Sequence, residues 1–294
     1  MRAFEFFAAK DASDAVALLA KHGPRVKVLA GGTDLLADLK FAAASHAPAV
    51  VVDISRADDM RGIRLTDQGL RIGALVTHTE IMGSPIIREE LPALVDAAHT
   101  IGAVQTRNLG TLGGNLVTAV PSMDSGPTLV ALDAIVTVAG PDGRRQMPLA
   151  DFFVGPRKTV LKSDELLVEI IIPKENVGKP THFLKFGLRK GQALALVNVA
   201  ASFWVGDGNT FKAPRIGLGA VAPKVIHASS AESYLEGKAI TADAMAEAGK
   251  LAVNDAKPIN DFRASAGYRR DLIAVLTRRA LEAAYELSKK RKAN

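Results

Sequence analysis

At 294 residues, 48% hydrophobic and 23% charged, the chain is long enough to bury a sizeable core in two or three lobes, and its composition excludes wholesale disorder. The formal charge of +6 comes from 37 basic and 31 acidic residues that are mixed along the chain, and aromatics make up only 5%, a pattern unlike a nucleic-acid surface. There is no cysteine, which removes disulfides, a thiol nucleophile and any cysteine-ligated iron–sulfur cluster from these residues.

The first residues, Met1 to Lys10, meet an acidic side chain too early for a signal peptide, and no apolar run reaches bilayer length, so a cytoplasmic protein without a membrane span is expected. Asp11 to His22 reads as an amphipathic helix with Val16, Leu18, Leu19 and Ala20 as apolar positions. Asp11 or Ser13 caps it, and Gly23-Pro24 stops it. Val26 to Ala30 is a short buried strand feeding Leu29-Ala-Gly-Gly-Thr-Asp-Leu35, after which the sequence becomes apolar and helix-compatible. A strand, a glycine loop and a helix in that order place an anion near a helix N-terminus. Ala49 to Asp53 is another strand, Asp58 to Gly62 a connector between lobes, and Leu70 to Gly73 a further strand. Thr77 and Thr79, on either side of His78, fit an extended segment with both hydroxyls on one side. Pro85 to Thr100 is a second helix, with Leu91, Leu94, Val95 and Ala98 at helical spacing.

The densest glycine signal follows, in Gln105-Thr-Arg-Asn-Leu-Gly-Thr-Leu-Gly-Gly-Asn115. Gly110, Gly113 and Gly114 within five positions argue against a helix or strand interior and for bare backbone N–H groups that approach an anion. This stretch and the one at Gly31-Gly32 each carry an adjacent threonine, and together they could clamp the two phosphates of one dinucleotide. Asp124 is placed to accept from sugar hydroxyls or to cap the helix expected from Asp124 to Asp133.

Ala134 to Val138 is a strand ending in the turn Gly140-Pro-Asp-Gly143, and Leu166 to Ile172 is a strand stopped by Pro173. Pro173 to Pro180 has linker composition and marks a domain boundary. Beyond it, Thr181 to Arg189, Ala193 to Val205 and Ala213 to Ala222 read as strands, with Asp207-Gly208-Asn209 as a hairpin turn. Ile240 to Asp255 and Ala264 to Lys289 are helices. The last has Tyr268, Leu272, Val275 and Leu276 on one side, with Arg269, Arg270, Arg278 and Arg279 largely on others, and the run Lys289 to Lys292 reads as a frayed, solvated end.

Other motifs fail on their own terms. Gly217-Leu-Gly-Ala-Val-Ala222 fits a loose dinucleotide fingerprint, but Pro223 stands where a phosphate-binding helix needs its interior, so the stretch is read as a strand end. The six histidines (His22, His46, His78, His99, His182 and His227) lack metal-ligand spacing, and no serine lies in a nucleophile elbow.

Ala30-Gly-Gly-Thr-Asp-Leu35, Thr106 to Asn115 and Pro121-Ser-Met-Asp124 resemble, in order, the FAD-binding medium subunit of molybdenum hydroxylases, the family of xanthine dehydrogenase and carbon monoxide dehydrogenase. Ile259 to Arg270 resembles the end of the same subunits. The resemblance implies an α+β chain: a PCMH-type FAD-binding domain over residues 1–176, in lobes of about 1–57 and 58–176, and a C-terminal α+β domain of the carbon monoxide dehydrogenase flavoprotein type over 180–288. It implies non-covalent FAD held by Leu29, Ala30, Gly31, Gly32, Thr33, Asp34 and Leu35 on one side and Thr111, Leu112, Gly113, Gly114 and Asn115 on the other. Asp124, Ile101, Leu167 and Lys185 match further flavin ligands, and Lys185 would place a cation near the flavin ring. Some relatives carry histidine where Thr33 stands and an aromatic about where Ala193 falls.

By the same resemblance, the chain is an electron-transfer subunit. A large partner holds the molybdenum cofactor, a small partner holds two [2Fe–2S] clusters, and FAD here delivers electrons to NAD or a quinone, in a dimer of heterotrimers. No side chain of this chain is needed as a catalytic acid or base. A stand-alone FAD-dependent oxidase, with His78 as its one candidate base, and a non-redox nucleotide-binding module are the alternatives.

Overall fold

The computed structural model describes residues 3–41 and 47–293; Met1, Arg2 and His46 lie outside them. β1 (Glu5–Ala8) leads into α1 (Ala12–His22), whose N-cap Asp11 accepts from the Asp14 amide at 2.8 Å and whose C-terminal Gly23 takes a φ of 70°, a region where glycine is favoured. β2 (Val26–Leu29), α2 (Leu35–Phe41) and β3 (Val50–Asp53) follow. The strands form a parallel sheet in the order β1-β3-β2. The middle strand, Val50-Val-Val52, is buried as a parallel strand must be. β2 lies at the edge, so it is half-buried rather than fully buried as expected.

A second sheet takes its five strands from β4 (Ile63–Thr66), β5 (Gly69–Gly73), β6 (Ile135–Gly140), β7 (Gly143–Pro148) and β10 (Leu166–Pro173), antiparallel in the order β4-β5-β10-β6-β7. Between β5 and β6 the chain runs through α3 (His78–Gly83), α4 (Pro85–Glu90), α5 (Pro92–His99), α6 (Val104–Leu109), α7 (Leu112–Thr118) and α8 (Ser125–Ala131). α9 (Leu149–Phe152) and the hairpin of β8 (Phe153–Gly155) with β9 (Lys158–Thr159) complete this region.

Thr77 is not part of an extended pair with Thr79. It is the N-cap of α3, in a capping box with Glu80, which satisfies two end amides reciprocally. The single helix expected over Pro85 to Thr100 is two, because Pro92 has no N–H to continue the first. Gly113 and Gly114 lie inside α7, where a loop was expected. Gly113 serves packing: a Cβ there would stand 2.7 Å from both Cβ and the carbonyl oxygen of Ala74, whereas one at Gly114 would meet only the Thr111 hydroxyl, at 2.9 Å. Asp124 precedes α8 but makes no cap hydrogen bond.

The supposed linker is packed. Lys174–Asn176 forms a 3-10 turn, the Asn176 side chain donates to the Leu132 carbonyl at 3.1 Å, and Lys179 is 1% exposed. β11 (Thr181–Gly187), β12 (Ala195–Gly206), β13 (Thr210–Gly219) and β14 (Ile226–His227) form an antiparallel sheet in chain order, with the expected turn at Asp207–Asn209. α10 (Ser229–Leu235), α11 (Ala242–Leu251) and α12 (Ala266–Ala293) cover one face. On α12 the buried stripe is Leu272, Ile273, Leu276, Ala280, Leu281 and Ala284, whereas Tyr268 and Val275 are exposed. Arg269 lies on the packed side with the apolar stripe; it is buried and donates to the Leu196 carbonyl and to Asp261. The basic terminal run continues the helix rather than fraying.

Two large apolar cores result, one under the first two sheets and one under α10 to α12. The fully buried α8 joins them, because β13 offers it bare backbone. A Cβ at Gly217 would lie 2.2 Å from the Pro127 carbonyl oxygen. The glycines of Gly217-Leu-Gly219 therefore admit a helix, and the strand-end reading of that motif holds.

Candidate functional site

The two glycine stretches meet. Gly31, just past β2, is pressed on the end of α6 so closely that a Cβ there would fall 1.7 Å from the Leu109 carbonyl oxygen. The second stretch is pinned to the segment after β5. The His78 amide donates to the Gly110 carbonyl (3.1 Å), that of Leu112 to Val76 (2.8 Å) and that of Gly113 to Ala74 (2.9 Å). Beside this junction opens a cleft of about 470 Å³, within the range of sites that hold a cofactor.

Ala30, Gly31, Gly32, Thr33, Asp34 and Leu35 line the cleft, as do Thr111, Gly113, Gly114, Asn115, Asp124, Ile101 and Leu167. Leu29, Leu112 and Lys185 do not. The Leu112 side chain is fully buried in the first core, and Leu29 is half-buried behind Gly32. Lys185 reaches from β11 to the Asp124 carboxylate at 2.5 Å and to the Thr100 carbonyl at 3.2 Å.

The two stretches offer different chemistry. Among the described residues the amides of Gly31, Gly32, Thr33, Asp34 and Leu35 have no acceptor, and Gly32 takes a φ of 71°. These are the free donors of a helix start, a ready anion cradle. The second stretch was expected to present bare amides too, but Leu112 and Gly113 are engaged as above, Gly114 donates to the Thr111 hydroxyl (3.0 Å) and Asn115 to the Thr111 carbonyl (3.0 Å). What this stretch offers the cleft is the Thr111 O–H, which donates to none of the described residues, the bare Cα faces of Gly113 and Gly114, and the Asn115 amide. The Asn115 oxygen is held by Ser125 Oγ at 2.6 Å, which turns its N–H groups elsewhere.

Asp124 is 5% exposed, and Asn198 of β12 donates to its second oxygen at 2.9 Å. Burial pushes its carboxyl above the ordinary range, against the opposing pull of the Lys185 ammonium and the Asn198 amide. Asp34 is likewise pushed up by burial, with Arg157 pulling it down. His78 is 2% exposed, and burial, with the nearby charge of Arg107, lowers its pKa to about 4. Sequence reasoning missed Asn198; its signal is one amide in the apolar run Ala195 to Ala201. It also missed apolar residues of the cleft's lining, among them Val28, Ile54, Met60 and Leu166. The described residues contain no acid, histidine or cysteine cluster able to hold a metal ion, and no helix long and apolar enough to cross a membrane.

Residues 2–175 match the family model described as FAD binding domain in molybdopterin dehydrogenase, and residues 182–284 match the CO dehydrogenase flavoprotein C-terminal domain. The chain belongs to the FAD-binding medium-subunit family of molybdenum hydroxylases. Among its relatives, the carbon monoxide dehydrogenase medium chain of Hydrogenophaga pseudoflava is 35% identical over 96% of this chain and 97% of its own. The xanthine dehydrogenase FAD-binding subunit of Escherichia coli O157:H7 is 34% identical over 92% of each chain. The solved carbon monoxide dehydrogenase from Hydrogenophaga pseudoflava superposes with a TM-score of 0.92 over 97% of this chain and 98% of that one at 35% identity. Quinoline 2-oxidoreductase from Pseudomonas putida 86 gives 0.89 at 30% identity, over 98% of this chain and 99% of that one. Medium subunits of this family serve oxidoreductases of several subunits, so the cleft belongs to a redox flavoprotein, and the mixed α+β fold expected from the sequence is the family's.

Proposed function

We propose that this medium subunit holds one FAD non-covalently in the cleft and passes electrons from a small [2Fe–2S] partner to an external acceptor, NAD or a quinone. A large partner bearing the molybdenum cofactor oxidises the substrate. The observation that carries this reading is the meeting of Gly31 and the Leu109–Gly110 segment beside a cleft of cofactor size. The free amides of Gly31 to Leu35 hold the diphosphate, assisted by the Thr111 hydroxyl and the Asn115 amide. Asp124 accepts from hydroxyl or ring N–H groups, and its carboxylate is fixed by Lys185 and Asn198. Leu29 and Leu112 act by shaping the two stretches; Ile101 and Leu167 supply apolar wall. Lys185 sets the charge near the flavin ring. When bound, FAD supplies the redox chemistry, and the protein supplies its seat and its electrostatic surroundings.

Residues 1–176, in lobes of about 1–57 and 58–176, form the FAD domain, and 180–288 the second domain, within a cytoplasmic dimer of heterotrimers. The stand-alone oxidase reading is weakened by its only candidate base: an imidazole of pKa about 4 is a poor proton acceptor at neutral pH. Purification of the chain with its natural partners tests the proposal. It requires flavin absorbance, a molybdenum-bearing chain and an iron–sulfur chain in one complex. A colourless chain supports the non-redox module. Reduction of the bound flavin by small substrates with no partner present supports the oxidase.

A further inference from the structure

We infer that His78 is a further ligand of the bound dinucleotide, donating from Nε2 to an oxygen of the diphosphate; this rests on the seating of FAD proposed above. His78 opens α3 and lines the cleft. It stands where the two glycine stretches meet. A Cβ built on Gly110 would lie 3.4 Å from His78 Cδ2 and 3.6 Å from Thr33 Oγ1, so the imidazole edge and the Thr33 hydroxyl flank one bare backbone position. The ring is held there by its own main chain, whose N–H donates to the Gly110 carbonyl.

The side chain is 2% exposed, and its Nδ1 is sealed from solvent without a partner. Nε2 is not sealed and makes no hydrogen bond among the described residues, so it is the ring nitrogen that meets the cleft. A buried polar atom left unpaired costs stability, and an aliphatic or aromatic side chain would fill the same space without that cost. The ring is neutral at pH 7 and therefore carries one N–H. The tautomer with its proton on Nε2 offers a donor to the cleft beside Gly110, which Thr33, one of the residues with a free amide, also flanks. The contact joins α3, which takes part in neither glycine stretch, to the ligand.

The test compares FAD affinity of the apoprotein for wild type, His78→Phe, His78→Gln and His78→Asn, with circular dichroism and melting of each apoprotein as the folding control. Glutamine places an amide nitrogen near the position of Nε2, asparagine near that of Nδ1. His78→Phe and His78→Asn are expected to weaken FAD binding by about ten- to a hundredfold, the range for losing a hydrogen bond to a charged group, whereas His78→Gln stays within a few-fold of wild type. Phosphorus NMR of bound FAD is expected to show shifted diphosphate resonances in His78→Gln. Wild-type affinity in His78→Phe, or equal affinities for the Gln and Asn variants should the Phe variant misfold, overturns the inference. So do diphosphate resonances in His78→Gln that stay where the wild-type protein has them. Failure of the wild-type protein itself to bind FAD instead overturns the seating on which the inference rests.

Discussion

The approach of Gly31 to the end of α6 is the geometric basis of the cleft, and Gly31→Ala strikes it directly. The new Cβ would fall 1.7 Å from the Leu109 carbonyl oxygen and 2.5 Å from its carbon. Carbon–oxygen contacts settle at about 3.3 Å or more, so the two segments must part by roughly 1.6 Å. Both atoms met are backbone, so no rotamer change relieves the clash, and overpacking of this kind costs about 1–3 kcal/mol. The effect on binding is larger than on folding. A shift of that size moves the free amides of Gly31 to Leu35 well outside hydrogen-bonding range of a ligand also held from Thr111 and Asn115. The expected outcome is a folded protein with less than about a tenth of the wild-type FAD content, since losing one charge-assisted hydrogen bond already costs about tenfold. Flavin absorbance relative to protein, with circular dichroism as the folding check, measures it. Gly83→Ala is the control, because nothing lies within 4 Å of its Cβ position. Wild-type FAD content in Gly31→Ala would refute the reasoning.

Three other outcomes are expected. Lys179 is buried with its ammonium unpaired among the described residues, and its pKa falls from 10.5 to about 8 through desolvation. Folding therefore disfavours the charged form, at a cost of roughly 3 kcal/mol below pH 8. Stability contributed by this residue rises as pH climbs from about 8 to 10.5, and Lys179→Met raises the melting temperature at pH 7 by several degrees while flattening that rise; an unchanged or lower melting temperature contradicts the assignment. Lys185→Met breaks the buried pair with Asp124 and is expected to destabilise by about 3–5 kcal/mol in chemical denaturation; a loss below about 1 kcal/mol would show that the pair is not sealed. Asn198→Ala frees one oxygen of Asp124. It is expected to weaken FAD binding several-fold by titration, and no change would remove Asp124's orientation from the account.

The local signals in the sequence that name their own partners were legible. Asp11 caps α1, Gly23 ends it, and Asp207–Asn209 turns the hairpin of β12 and β13, each through chemistry contained within a few residues. The Thr77–Glu80 capping box was equally local and was misread because threonine also favours strands. The helix α7 was not legible. Gly113 and Gly114 weaken a helix by propensity; the closeness of Ala74, distant in the chain, explains Gly113, and the Thr111 hydroxyl, 2.9 Å from a Cβ built on Gly114, explains the other. Likewise the site was half legible. Its glycines and threonines were marked by spacing, Asp124 by its place shortly after Asn115, and Ile101, Leu167 and Lys185 by likeness to the family alone. The support of Asp124 by Asn198, the burial of Lys179 in a stretch of linker composition and the placement of His78 beside Gly110 all depend on which strand or helix lies next to which.

The most direct measurement is a crystal structure of the chain with FAD. The diphosphate is expected to accept hydrogen bonds, at about 2.7–3.2 Å, from amides of the Gly31 to Leu35 segment, with Thr111 and Asn115 on its other side. FAD seated in another part of the molecule, or the two glycine stretches lying apart in the crystal, would contradict it.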